Sequence, residues 1–286
     1  MKTIHKTAVS AAAVALLTGL ASSAAFAADE PAAPEVSPVT ANVTITNDYR
    51  YRSITQSNYQ PAIQGGFDYA HESGLYIGNW NSTINWVSNT TNNGIKVPIE
   101  MDFYGGFKKE LIAEGFASDI GVLQYYYPQT GGNYNLTMVN PNTTELYVAQ
   151  NFTFGPVTGF VKANYSLTNI FGIPQSSGSF YPDLTVNYDT GIWGISLNGH
   201  VGYQKVVGQP GSQNGVSTAH AGNSLGYTDF KLGATKDFGG GLSLAAAYVS
   251  TNANPAWWNT YSSTTTGTLT SAAGRLGAVV SLTKVF

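Results

Sequence analysis

Residues 274–286 read GRLGAVVSLTKVF. Leu276, Ala278, Val280, Leu282 and Phe286 share one face of an extended chain, with Lys284 near the end. Arg275, Gly277, Ser281 and Thr283 share the other, because side chains alternate across a strand. Chain ends of soluble domains are commonly polar and frayed. This sequence stops on an aromatic, inside an alternating pattern. The stretch predicts a strand that is apolar on one side and polar on the other. It also predicts a neighbouring strand that takes up its open hydrogen-bonding edge.

The pattern recurs upstream. ANVTITNDYRYR, from Ala41, sets Val43, Ile45, Tyr49 and Tyr51 against Asn42, Thr44, Thr46, Asp48, Arg50 and Arg52. VPIEMDFYGGFK sets Val97, Ile99, Met101, Phe103 and Phe107 against Glu100, Asp102, Tyr104 and Lys108. YTDFKLGATKDF sets Phe230, Leu232, Ala234 and Phe238 against Asp229, Lys231, Thr235 and Asp237. IWGISLNGHVGY sets Trp193, Ile195, Leu197, Val201 and Tyr203 against Ser196, Asn198 and His200. DIGVLQYYYP, residues 119–128, yields no face assignment.

Twelve strands follow: 41–54, 61–71, 74–87, 96–109, 116–127, 143–154, 157–167, 180–190, 192–204, 226–238, 241–252 and 274–286. Their connections alternate. HESG, ELIAEGF, FGPV, DTG and FGGGL are short turns; SNTTNNGI and PQTGGNYNLTMVNPNT are examples of the longer, polar ones. Loops of that length are unusual inside a compact soluble domain. The short/long alternation is that of an all-β, membrane-spanning antiparallel up-and-down barrel of twelve strands, with both termini on the side of the short turns. A soluble sandwich would alternate in the same way. The aromatics favour the membrane: Trp80, Trp86, Trp193, Tyr49, Tyr51, Tyr203, Phe107 and Phe238 fall toward strand ends on apolar faces, as interfacial girdles do.

Composition agrees. Charged residues are 10% of the chain, against roughly a quarter in ordinary globular proteins. There are 32 glycines, and aromatics make 13%, yet mean hydropathy is only −0.07, as expected when each strand has one apolar face. The first residues supply Lys2 and Lys6, an uncharged apolar run, and Ala25-Phe26-Ala27. That is the layout of a cleaved secretory signal over 1–27. Residues 28–40, rich in Pro and Ala, read as a flexible periplasmic tether, and 41–286 as the barrel. Removal of the signal leaves 11 basic against 16 acidic residues, which excludes a nucleic-acid footprint. The chain has no cysteine, so no disulfide holds it.

The strand sequences carry a resemblance. ANVTITNDYRYRSITQSNYQPAIQGGFDYAHESGLYIGNWNS, IEMDFYGGFK, DIGVLQYYYP, TELYVA and YTDFKLGATKDFGGGLSLAAAYVST resemble the TorF-type porin family of proteobacterial outer-membrane proteins, from about Ala41 to Phe286. The resemblance implies an outer-membrane barrel in a Gram-negative bacterium that acts as a channel. It brings no catalytic residues and no cofactor. In barrels of this kind a terminal Phe marks the strand read by the outer-membrane insertion machinery, which assigns that role to Phe286.

Little in the sequence points to catalysis. His71 falls in a short turn and His220 in a long loop, and no histidine pair has metal-ligand spacing. Ser196, Asn198 and His200 share a strand face at steps of about 7 Å, too far apart for a proton relay along the strand. The chain therefore reads as no enzyme, with no metal or cofactor. The candidates left are inward-facing charges: Asp48, Arg50, Arg52, Asp68, Glu100, Asp102, Lys108, Glu145, Lys162, Asp183, Asp229, Lys231 and Arg275, with His200. Arg50 and Arg52 should neighbour Arg275 across the closing seam and face the acidic residues further round. Such a field sorts small solutes by charge. The expected function is passive diffusion of ions or small polar solutes. The alternative is a non-conducting barrel with a structural or adhesive role through loops 128–142 and 253–273. Expected partners are outer-membrane lipids, the insertion machinery, and the solutes themselves.

Overall fold

The computed structural model describes residues 37–90, 95–131, 140–207, 225–255, 258–261 and 269–286. The segment read as signal and nearly all of the tether lie outside them, as does His220.

Twelve antiparallel strands form one closed sheet in which each pairs with its neighbour in sequence. They are β1 (Val39–Thr46), β2 (Ala62–Ala70), β3 (Leu75–Thr83), β4 (Ile99–Ala113), β5 (Phe116–Tyr126) and β6 (Thr143–Phe154), then β7 (Val157–Ser166), β8 (Phe180–Asp189), β9 (Ile195–Gln204), β10 (Tyr227–Asp237), β11 (Leu242–Thr251) and β12 (Gly277–Val285). The stretch quoted first closes the circle. β12 pairs with β1 in the register Asn42↔Val285, Ile45↔Leu282 and Thr46↔Ser281. The Phe286 N–H donates to the Ala41 carbonyl at 2.9 Å. No edge of the sheet is left open, the condition for a sheet to cross a bilayer. The strand ranges match those read from the sequence except at their ends. β1 starts at Val39, two residues inside the expected tether, and stops at Thr46 rather than at residue 54.

Burial alternates along each strand, and the apolar residues are the exposed ones. In β1, Asn42, Thr44 and Thr46 are buried while Val43 and Ile45 are exposed. Ile63, Ile77, Ile120, Val148 and Leu232 are likewise exposed, and Leu232 shows 70% of its surface. In water a belt of this size would be an aggregation hazard; against lipid tails it is the barrel's contact surface.

The ends of the barrel differ. On the short-turn side, Phe238 and Phe286 are exposed at strand ends, and Trp193, expected on the strand, is exposed in the turn before β9 at positive φ. The turn from β10 to β11 runs through Gly239, Gly240 and Gly241, all at positive φ, a run only glycine adopts without strain. At the other end the described parts of the long connections fold over and into the barrel. Four residues expected in the outer girdle are here. Tyr49 and Trp80 are buried inside, Tyr51 packs in the same cluster, and Trp86 starts the short helix α1 (Trp86–Thr90). Trp80 shares its strand face with the inward Tyr76, Gly78 and Ser82, so its parity alone places it inside.

Candidate functional site

The lumen is occupied by the connection from β1 to β2. β1 ends before Asn47, whose N–H still donates to the Val280 carbonyl at 3.1 Å while its side chain takes up the other groups of β12. Its amide donates to the Ala278 carbonyl at 3.1 Å and accepts the Val280 N–H at 2.7 Å. The chain then turns inward. Arg50–Tyr51 pairs with Ile54–Thr55 in a small ladder, with Arg52 and Ser53 both at positive φ in the turn. Non-glycine residues rarely take that conformation, so the surroundings must hold it.

Those surroundings come from nearly every side of the barrel. Tyr49 donates to Glu100 of β4 at 2.6 Å, and the Tyr51 hydroxyl meets that of Tyr125 of β5 at 2.6 Å. Arg52 reaches the far wall, donating to Glu145 of β6 at 2.7 Å and to Gln204 of β9 at 2.5 Å. Its guanidinium lies over the rings of Tyr51 and Tyr181. Ser53 donates to Asp229 of β10 at 3.3 Å. On the near side, Arg50 pairs with Asp48 and donates to the carbonyls of Ser53, Ala273 and Arg275. The Gln56 carbonyl accepts the N–H groups of Asn85 and Trp86. Around this plug, Val87, Ile95, Val97, Leu123 and Tyr127 are almost completely buried. Among the described residues, this side of the mouth is therefore packed with apolar side chains.

Two groups of charges line the strands. On β7 to β10, His200 lies 3.1 Å from Asp229, 2.9 Å from the Tyr181 hydroxyl and 2.8 Å from Thr185, with Asp183 at 3.8 Å. Lys162 stands opposite Asp183 through a shared register position, and Lys231 opposite His200. His200 is tied to these partners, not to Ser196, and Asn198 bonds Asn187 and Thr235; no relay forms along that strand. On β2 to β5, Tyr104 donates to Asp68 at 2.5 Å, Tyr76 to Asp119 at 2.7 Å, and Tyr127 joins Tyr49 on Glu100 at 2.6 Å. Asp102 is fully buried, and Lys108 stands opposite Asp119 in the register.

Glycines make these contacts possible. Asp68, Gly78 and Tyr104 lie on one cross-strand row, so the tyrosine passes over the glycine to the carboxylate two strands away. A Cβ at Gly78 would fall 2.5 Å from the Tyr104 ring, and one at Gly202 would fall 2.1 Å from the Tyr181 hydroxyl. Tyr76, Gly106, Gly121 and Tyr147 form another row, with the two phenols meeting over the two glycines.

The inward charges expected on the strands from β2 to β10 fall on the inner face, while Asp48, Arg50 and Arg52 belong to the plug. Arg275 is exposed at the rim, stacked on Tyr59, with Arg50 on the same ring. The expected cluster of three arginines is thus two; Arg52 crosses to the acidic side instead and neutralises Glu145. Asp119, buried with the others, was not among the expected residues, nor were the tyrosines. The face of residues 119–128 is hidden because Leu123 and Tyr125 point inward against the plug while Gln124 points out to Thr144.

Comparison with known proteins places this geometry. Residues 28–286 match the model of a family described as "Bacterial protein of unknown function (Gcw_chp)", and the chain belongs to that family. No curated protein sequence matches it. Among solved structures it is similar to the NanC porin, with a TM-score of 0.50, 8% identity, and 86% of this chain and 98% of that chain covered. The KdgM porin gives a TM-score of 0.49 at 5% identity over 86% of this chain and 99% of that one. The outer membrane protein OprD from Pseudomonas aeruginosa gives 0.43 at 12% identity over 88% and 66%. At 8% identity the likeness to NanC is one of fold.

Proposed function

We propose that this Gcw_chp-family barrel is an outer-membrane channel for passive diffusion of ions and small polar solutes, narrowed by its plug at 47–60. The observation that carries the reading is the sidedness of the wall: apolar residues outward on every strand, charges and hydroxyls inward. A barrel that served only as an anchor has no need of a lumen lined with paired charges. The TorF-type resemblance of the strands points the same way, and the signal-like first 27 residues supply the export route to the outer membrane. Lipids of that membrane and its insertion machinery are the partners this reading requires. Among the described residues of the lumen no nucleophile, base and orienting group come together, and the reading proposed is that of a channel.

One observation favours a second reading, a non-conducting barrel with a structural or adhesive role. The Tyr51–Tyr125–Phe171 cluster packs edge to face beside the plug, which seals rather than wets that part of the mouth. Purified protein in planar bilayers decides. Discrete conductance steps are expected. Folded protein that gives none at any voltage leaves the structural role.

A further inference from the structure

The carboxylates of the lumen divide by what their oxygens bond. Glu145 uses both: Ser166 donates to one, Arg52 and Asn164 to the other. Asp229 also uses both, with Tyr181 on one and Ser53 and His200 at the other. On the arc from β2 to β5, Glu100 likewise has both oxygens bonded, by Tyr49 and Tyr127, but its three aspartates differ. A phenol holds one oxygen of Asp68 and one of Asp119, and the second oxygen of each is buried without a partner. Asp102 has neither oxygen bonded, although it is fully buried. These residues lie on β2, β4 and β5, facing the lumen through the parity of their strands. Lys108 stands opposite Asp119, with no ion pair between them among the described residues.

We propose that Asp68, Asp102 and Asp119 form a track for monovalent cations along this wall, making the channel cation-selective. The inference rests on the channel reading above. A buried carboxylate without a donor is costly unless a positive charge visits it. Here the phenols keep two of the three carboxylates in place while leaving an oxygen of each unused. No three carboxylates or imidazoles converge as a metal site among the described residues. The contacts offered to an ion are therefore single and spaced out, which suits passage rather than capture, since conduction needs binding weak and multiple enough to release. Elsewhere in the lumen Arg52 pairs with Glu145, Lys162 stands opposite Asp183, and Lys231 follows Asp229 by two positions on the same inner face, so they present no matching track for anions.

The test is the reversal potential in a potassium chloride gradient for wild type and for D68N/D102N/D119N, both first shown to be folded by heat-modifiable electrophoretic mobility. Wild type should favour potassium over chloride. The triple variant should still conduct, with its cation-to-anion permeability ratio lowered about fivefold or more, the effect of one unit charge a few ångströms from a solvated ion. A wild-type pore that is not cation-selective, or a triple variant with unchanged selectivity, overturns the track. A protein that conducts in neither form overturns the channel reading. The melting temperature in detergent then decides the track by itself. It should be higher in potassium chloride than in N-methylglucamine chloride at equal ionic strength for wild type only; equal melting in the two salts overturns it.

Discussion

Tyr181 reaches Asp229 by lying across Gly202, and the contact depends on the missing Cβ. An added methyl would meet not only the hydroxyl but ring carbons at 2.4 and 2.8 Å, so the ring must swing away and release the carboxylate. G202A should therefore cost about 2 kcal/mol, the usual range for overpacking a tight site. In a Y181A background the same change should be close to neutral, because the two residues are directly coupled. Urea unfolding of the four variants from lipid vesicles gives the cycle; an undiminished cost in Y181A refutes the coupling. At this scale the sequence was only half legible. The inward charges could be found by counting in twos along each strand, as at Glu100, Asp102 and Asp229. The phenols that hold them could not, since a tyrosine two positions from an acid looks the same whether it caps that acid, one on another strand, or lipid.

At the scale of the strand, the closing pair was the most legible element. Val43 and Ile45 alternate with polar residues, Val280 and Leu282 are separated by Ser281, with only Val279 breaking the pattern, and Ile45 meets Leu282 across the seam. What misled was NDYRYR. Its alternation continues past Thr46, yet the chain leaves the sheet, because Asn47 satisfies β12 by its side chain and Arg52 and Ser53 adopt positive φ. Neither Arg nor Ser is among the residue types enriched at positive φ. The outward faces carry a sharper expectation. Leu232 stands midway along β10 on the outer wall. On a water-exposed surface L232R would shift stability by no more than about 0.5 kcal/mol. Facing the bilayer midplane it should destabilise the barrel by about 2–4 kcal/mol, again read by urea unfolding from vesicles. A near-zero shift would place this face in water and remove the basis for a membrane-spanning barrel.

For the whole molecule, the question is what the plug does to the lumen, and its attachments are unequal. On the near side it is held by backbone bonds, such as Thr55 N–H to the Ala273 carbonyl at 3.0 Å, and by Asn47 on β12. On the far side the strongest link is Arg52, an ion pair to Glu145 with both side chains buried. Removing one partner of a buried pair leaves the other charge uncompensated, at a cost of about 3 kcal/mol. Part of that strain is relieved if the loop lifts and water reaches Glu145. R52A should therefore lower stability by that amount and, in planar bilayers, raise the single-channel conductance above wild type, because the near-side bonds remain and only the far side opens. R275A is the control: Arg275 is exposed at the rim on Tyr59 and spans nothing, so its loss should leave conductance as it is. If R52A conducts like wild type, or R275A changes the pore as much as R52A does, the constriction lies elsewhere than at the crossing from Arg52 to Glu145.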